Sequence, residues 1–191
     1  MTTSNNIIGI AGSFGSGKDT LADYLVAHQN YFHVSTGDLV RKESIKRHNS
    51  VERNPYLQET ATYLRKNFGG GVLVERALDA YAEQKAKHKG VVITGIRSLG
   101  EAKAIQKAGG RLVFVDAPID LRYARIQARQ RDNESKVSLE HFKMSEQKEN
   151  SQSDSDADFN IFKIKELADV QLSNDTDLDS FYRSATAALK V

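Results

Sequence analysis

The stretch Gly12-Ser-Phe-Gly-Ser-Gly-Lys-Asp-Thr20, directly behind the apolar run Ile7-Ile-Gly-Ile-Ala11, decides how this chain is read. An apolar run that stops at a glycine-rich loop predicts a buried strand. Residues 18–29 then carry helical spacing through Leu21 and Leu25 and through Ala22 and Val26. Gly12, Gly17 and Lys18 fit the G-x-x-x-x-G-K part of the phosphate-loop pattern, in the strand–loop–helix setting the pattern requires. Glycines let successive backbone N–H groups face one anion. The following helix adds its positive N-terminal end, and the lysine brings a mobile charge to the β- and γ-phosphates. The nucleotide-binding set expected here is Gly12, Ser13, Gly15, Ser16, Gly17, Lys18, Asp19 and Thr20. The alternative is a turn that merely joins a strand to a helix.

Asp19 stands where a serine or threonine is expected. Beside phosphate charge a carboxylate is repelled unless a metal lies between, and its oxygen is a suitable ligand for a hard cation such as Mg²⁺. Thr20 offers a hydroxyl one position later. Asp19 and Thr20 are therefore the candidate metal ligands, with Mg²⁺ arriving together with ATP.

Beyond the loop, short apolar runs alternate with helical spacing. Strands are predicted at 31–34, 90–95, 111–118 and 168–174. Helices are predicted at 37–48, from Pro55 with Asn54 as its cap to the Gly69-Gly70-Gly71 stop, and at 72–86. Further helices are expected around 98–108, at 119–131 and at the close of the chain, where Leu178, Phe181, Ala185 and Leu189 fall in step. Residues 149–158, rich in Ser and Asp, read as a mobile loop. Continuous apolar strands alternating with helices predict an α/β three-layer fold of the P-loop NTPase type. Its five-stranded sheet is mainly parallel, with helices on both faces. Ligands of such sheets sit beyond the carboxyl ends of the strands.

Composition narrows the function. At 191 residues the chain holds one domain with a core, and 39% hydrophobic with 27% charged residues is a globular balance. A net charge of +2 gives no general attraction to nucleic acid or anionic membranes, so neither is expected as a partner. The absence of cysteine excludes disulfides, thiol nucleophiles and zinc–thiolate sites. The five histidines are scattered, with no metal-ligand spacing. No apolar run approaches the roughly 20 residues that span a bilayer, and the first residues lack a signal core, so a cytoplasmic location is expected.

"GSGKDT" resembles the loop of some deoxynucleoside monophosphate kinases and related small-molecule kinases, and the order of later segments extends the likeness. "HVSTGDLVRKE", from His33 to Glu43, resembles the segment of adenylate kinases that opens the acceptor-binding helix. That resemblance implies Thr36 and Asp38 near the acceptor and Arg41 on its phosphate. On the residues alone, Ser35 or Thr36 could equally cap a helix. "VVITGIRSLGEAKAI" resembles the stretch whose arginine grips the acceptor phosphate, which implies that role for Arg97. The family's acidic residue is Thr94 here, leaving Asp19, Asp38 or Asp116 to hold the metal. Asp116 could equally cap the turn at Pro118.

In residues 119–131, Arg122, Arg125 and Arg129 share one helical face beside an apolar face of Leu121, Ala124 and Ala128. Such a face can be simply solvated. The family likeness implies instead that Arg125 and Arg129, with Arg131 next, flank a lid over the donor. It also implies an acceptor-binding helical insert at about 37–88 and a lid at about 130–158. Residues 173–177 would border the donor's base.

The layout is also similar to that of dephospho-coenzyme A kinases, whose acceptor is a ribose hydroxyl. The leading expectation is ATP-dependent phosphoryl transfer to a nucleoside or deoxynucleoside monophosphate, with Lys18, Arg97, Arg125 and Arg129 as catalytic residues. The partners expected are ATP and a small phosphorylated acceptor, the protein being a monomer or homodimer. A small-molecule hydroxyl kinase with Asp38 as proton acceptor is the alternative. A nucleotide-switched binding protein is a third reading, although no guanine-specifying Asn-Lys-x-Asp segment is present.

Overall fold

The computed structural model describes residues 6–129, 138–149 and 155–191. Five parallel strands form one sheet: β1 (Ile7–Gly12), β2 (Tyr31–Ser35), β3 (Gly90–Ile96), β4 (Arg111–Asp116) and β5 (Val170–Ser173), in the order β2-β3-β1-β4-β5. The strand that feeds the glycine-rich loop is thus the central one. Every residue of β1 is buried, which is why its sequence is a continuous apolar run rather than an alternating one. Its pairing with β3 slips between Ile10 and Ala11, where the chain begins to leave the sheet.

Helices α1 (Lys18–Gln29) and α9 (Leu178–Leu189) cover one face. There Leu21, Leu25, Phe181 and Leu189 pack on Ile8, Ile10, Val113 and Val115. The other face carries α4 (Val72–Ala82), α5 (Leu99–Lys107) and α8 (Ile161–Leu167), with Val74, Ile105 and Ile164 against Ile93, Leu112 and Phe114. Helices α2 (Thr36–His48) and α3 (Gln58–Phe68) meet α4 in a smaller cluster of Val40, Ala61, Leu64 and Leu73. Two further helices, α6 (Ile119–Arg129) and α7 (Leu139–Glu149), follow β4. No helix among the described residues is long and apolar enough to cross a membrane.

The structure departs from the sequence expectations at three places. The helix expected from Pro55 starts earlier, as a π-helical turn over Arg53–Leu57, with Leu57 N–H donating to Glu52 O across the wider i→i−5 spacing at 3.1 Å. Pro55 has no N–H to give. Second, the face of α6 expected to be apolar is exposed: Leu121, Ala124 and Ala128 lie outward, and the residues buried are Arg122 and Ile126. The guanidinium of Arg122 can lie inside because carbonyls and a carboxylate meet it there. Third, residues 155–158, read as part of a mobile loop, are pinned to α5. Asp156 O accepts from Gly100 N–H, its carboxylate binds Lys103, and Phe159 forms an antiparallel bridge with Ser98.

Candidate functional site

Because all five strands are parallel, their carboxyl ends share one edge, and the loop leaves that edge from the middle. Gly12 and Gly17 hold φ of 148° and 97°, backbone that side chains avoid. A Cβ at Gly12 would run into Val115 O, and one at Gly17 into Asn174 Nδ2. The N-terminus of α1 has no side-chain cap, so its first-turn N–H groups face the loop's hollow. Lys18 Nζ donates to Ser13 O at 2.7 Å, spanning the loop it belongs to. Ser16 is fully buried, and its Oγ has no hydrogen-bond partner among the described residues. An orphaned hydroxyl in a glycine cradle fits an anion such as a phosphate group.

The ends of β4 and β5 brace this loop at two points. Ser13 Oγ donates to Asp116 Oδ1 at 3.0 Å, and Asn174 Nδ2 donates to Ser16 O at 2.8 Å. The two braces are joined, since Asn174 N–H donates to Asp116 O at 2.8 Å. Asp116 also accepts from Lys165 Nζ at 3.0 Å and from Ala117 N–H. Burial alone would raise the Asp116 carboxyl, but the hydrogen bonds from Lys165, Ala117 and Ser13 together hold it below the ordinary carboxylate value. Its oxygens are thus taken by the protein's own donors. Of the three acids considered for a metal, Asp19 is exposed at the first turn of α1, and Asp38 is paired with Arg41 at 2.6 Å. Among the described residues no cluster of three metal-ligating side chains occurs, so a cation here would draw most of its ligands from phosphate and water.

On the β3 side of the loop, Thr36 Oγ1 donates to Gly95 O at 2.8 Å, closing the end of β2 against that of β3. Thr94, at the position of the family's acid, meets His33 Nε2 at 2.9 Å. Arg97 sits just past β3. Its N–H donates to Glu101 Oε2 at 2.7 Å, its carbonyl accepts from Asn160 N–H, and its guanidinium lies 5.9 Å from the Phe159 ring centre. Glu101 is fully buried and also receives Arg65 Nε at 2.9 Å, in a capping box with Ser98.

On the β4 side, Arg125 Nη2 donates to Asn174 O at 2.9 Å, while its Nη1 is buried with no partner among the described residues. Arg129 is exposed, 5.8 Å from the Phe14 ring centre. Arg131 lies outside the described residues, as do 130–137 and 150–154 of the segment expected to form a lid. The roles of Asn174, Glu101 and Arg122 were not legible beforehand. Each depends on a partner between 24 and 158 positions away.

The parallel sheet and its glycine loop define a P-loop fold of the kinase-like type. Over nearly the whole chain it is similar to TT1252 from Thermus thermophilus, with a TM-score of 0.59, 20% identity and 98% of each chain covered. It is likewise similar to shikimate kinase from Bacteroides thetaiotaomicron, with a TM-score of 0.58, 15% identity and 97% of this chain and 99% of that one covered. The model of the family described as AAA domain matches residues 8–154. A UPF0200 protein of Methanococcus vannielii is 32% identical over 186 residues, covering 96% of this chain and 95% of the relative. A UPF0200 protein of Hyperthermus butylicus is 31% identical over 185 residues, covering 96% and 92%. The chain thus belongs to the AAA-domain family and, by its relatives, to the UPF0200 proteins.

Proposed function

We propose that this protein is an ATP-dependent small-molecule kinase that transfers the γ-phosphoryl group to a nucleoside or deoxynucleoside monophosphate. The observation that carries this reading is the braced glycine loop at the central strand's end, with an orphaned buried hydroxyl inside it and Arg97 on the neighbouring strand's end. ATP places its phosphates on Gly12 to Thr20, with Lys18 on the β- and γ-phosphates. Mg²⁺ supplies charge neutralisation, and Asp19 and Thr20 are the residues that would hold it. Arg125 and Arg129 reach the donor from α6. Thr36, just ahead of the acceptor-binding insert at about 37–88, and Asp38 within it border the acceptor, whose phosphate lies between Arg41 and Arg97. A lid is read at about 130–158, of which Leu139–Glu149 form α7. Such an acceptor is already ionised at neutral pH, so catalysis is positioning and electrostatics rather than proton removal.

The test is ADP release, measured with Mg·ATP against a panel of ribo- and deoxynucleoside monophosphates plus dephospho-coenzyme A. Turnover with a monophosphate supports the proposal and names the substrate. ATP bound without turnover on any acceptor overturns it. Arg97→Ala is expected to raise the acceptor KM by about ten- to a hundredfold, in line with losing a charge-assisted bidentate contact, while the KM for ATP stays within about twofold. A rise in the ATP value instead moves Arg97 to the donor side.

A second reading, a hydroxyl kinase, draws support from Asp38. Its side chain is 62% exposed and already engages Arg41, the group the first reading assigns to a phosphate. Two of the structural neighbours are kinases of shikimate, a small molecule that is not a nucleotide. Asp38→Asn separates the two. If Asp38 takes a proton, kcat falls by about 10²- to 10⁴-fold, whereas a monophosphate kinase keeps most of its kcat.

A further inference from the structure

We propose that α7 is the element that sets the outer wall of the phosphate loop, with Glu146 and Phe142 as positioning residues acting through Arg122 and Phe14. The inference rests on the nucleotide-binding reading of that loop.

Helix α7 packs in an unusual way. Of its residues, Phe142 is buried at 5% exposure, and the others with described side chains are not. A helix with so small a core contribution is held by particular contacts. Phe142 meets Tyr123 of α6 at 5.8 Å between ring centroids as well as the loop, and Glu146 binds Arg122 of α6, which in turn reaches the loop. Phe142 packs against the ring of Phe14, the third residue of the loop motif, with centroids 6.2 Å apart. Glu146 receives both arms of Arg122, Nη1 on Oε1 at 2.5 Å and Nη2 on Oε2 at 3.2 Å. That is the two-pronged guanidinium–carboxylate geometry, which fixes orientation as well as charge.

Arg122 passes the constraint on. Its Nε is fixed to Ala117 O at 2.7 Å, and Nη1 reaches Phe14 O at 3.4 Å. The loop is therefore held at three points: the Ser13 hydroxyl by Asp116, the Phe14 carbonyl by Arg122 and the Ser16 carbonyl by Asn174. The middle hold is the one that depends on a separate helix. A cavity of about 250 Å³ borders this contact, lined by Ser13, Arg122, Glu146 and Phe162 among others, so the loop has room to relax outward once the hold is lost. An ion pair between a 7% and a 21% exposed side chain is a poor source of stability, because desolvation offsets its attraction. Its value lies in fixing one arrangement, here the angle at which the backbone N–H groups of the loop face the phosphates.

The experiment uses the full chain and Mg·ADP as the probe, with dissociation constants from titration calorimetry and folding followed by thermal melts. Glu146→Ala is expected to weaken Mg·ADP about tenfold, with Glu146→Gln intermediate because the amide oxygen still accepts one arm of Arg122. Phe142→Leu, which keeps the helix seated through an apolar side chain, is expected to weaken it about threefold and serves where the alanine variant folds poorly. Arg122→Lys together with Glu146→Ala should cost little more than either change alone, since both break one route. Glu140→Gln, on the exposed first turn of the same helix, should leave binding unchanged. Wild-type affinity in the Glu146 and Phe142 variants, or full additivity of the Arg122 and Glu146 losses, overturns the inference and leaves the nucleotide reading standing. A wild-type chain that binds no Mg·ADP overturns both.

Discussion

Under the proposed reading, Lys18→Ala is expected to lower phosphoryl transfer by at least about 10²- to 10³-fold, the loss that follows removal of one preorganised group facing developing charge. The fold survives the change. Lys18 is half-buried at the start of α1, and its hydrogen bond to Ser13 O is local to the loop. The loop's shape is held independently by Asp116 on Ser13 and Asn174 on Ser16. The variant should therefore melt within a few degrees of the wild type while ADP release with the acceptor found in the panel nearly stops. Turnover that continues unchanged would remove Lys18, and with it the loop, from the reaction.

Arg65→Ala is expected to destabilise the protein by about 3–5 kcal/mol, a large share of the roughly 5–15 kcal/mol that holds a domain of this kind. Glu101 has no exposure at all, and Arg65 is the cation that meets its Oε1. The other oxygen is occupied by the N–H groups of Arg97 and Ser98. Removing the arginine leaves a buried carboxylate facing an empty space. The double change Arg65→Met with Glu101→Gln should recover part of the loss, because a neutral amide oxygen can still serve the two N–H groups without a charge to bury. Urea unfolding of these two variants beside the wild type reads this directly. A loss below about 1 kcal/mol for Arg65→Ala would show that the pair is not what fixes α3 to the turn after β3.

The strands and the loop were legible in the sequence because their signals are local. Short apolar runs placed all five strands, two of them stopped by glycine and one by Pro118, and 18–29 was bounded by its own spacing and the glycine before it. α7 escaped notice because Leu139–Glu149 buries a single side chain, so no apolar stripe marks it. α8 is seven residues long, too short for periodicity to separate from noise. Arg122 was read as part of a solvated or lid-facing stripe, since a sequence does not display the carbonyls of Ala117 and Phe14 that let a guanidinium turn inward. Asn174 sat in a segment given to the donor's base, yet its amide lies 2% exposed on Ser16 O, a pairing 158 positions apart that no spacing rule reaches.

The position of β1 between β3 and β4 has a bearing on how this protein could change its chemistry. The chain before residue 110 builds one flank of the loop: β2, β3, helix α2 bearing Thr36, Asp38 and Arg41, and the turn after β3 bearing Arg97. The chain after it builds the opposite flank, with Asp116, Arg125 and Asn174. Under the proposed reading, most of what chooses the acceptor lies in the first length of polypeptide, while the donor is gripped by the glycine loop of the first and by Arg125 of the second. The two also touch where Phe159 and Asn160 meet Ser98 and Arg97. A recombination near residue 110 with a relative of different acceptor would carry the glycine loop and the acceptor flank together and leave the α6 flank in place. The seams to be rebuilt are those of Phe159 and Asn160 with Ser98 and Arg97 and of Asn174 with Ser16.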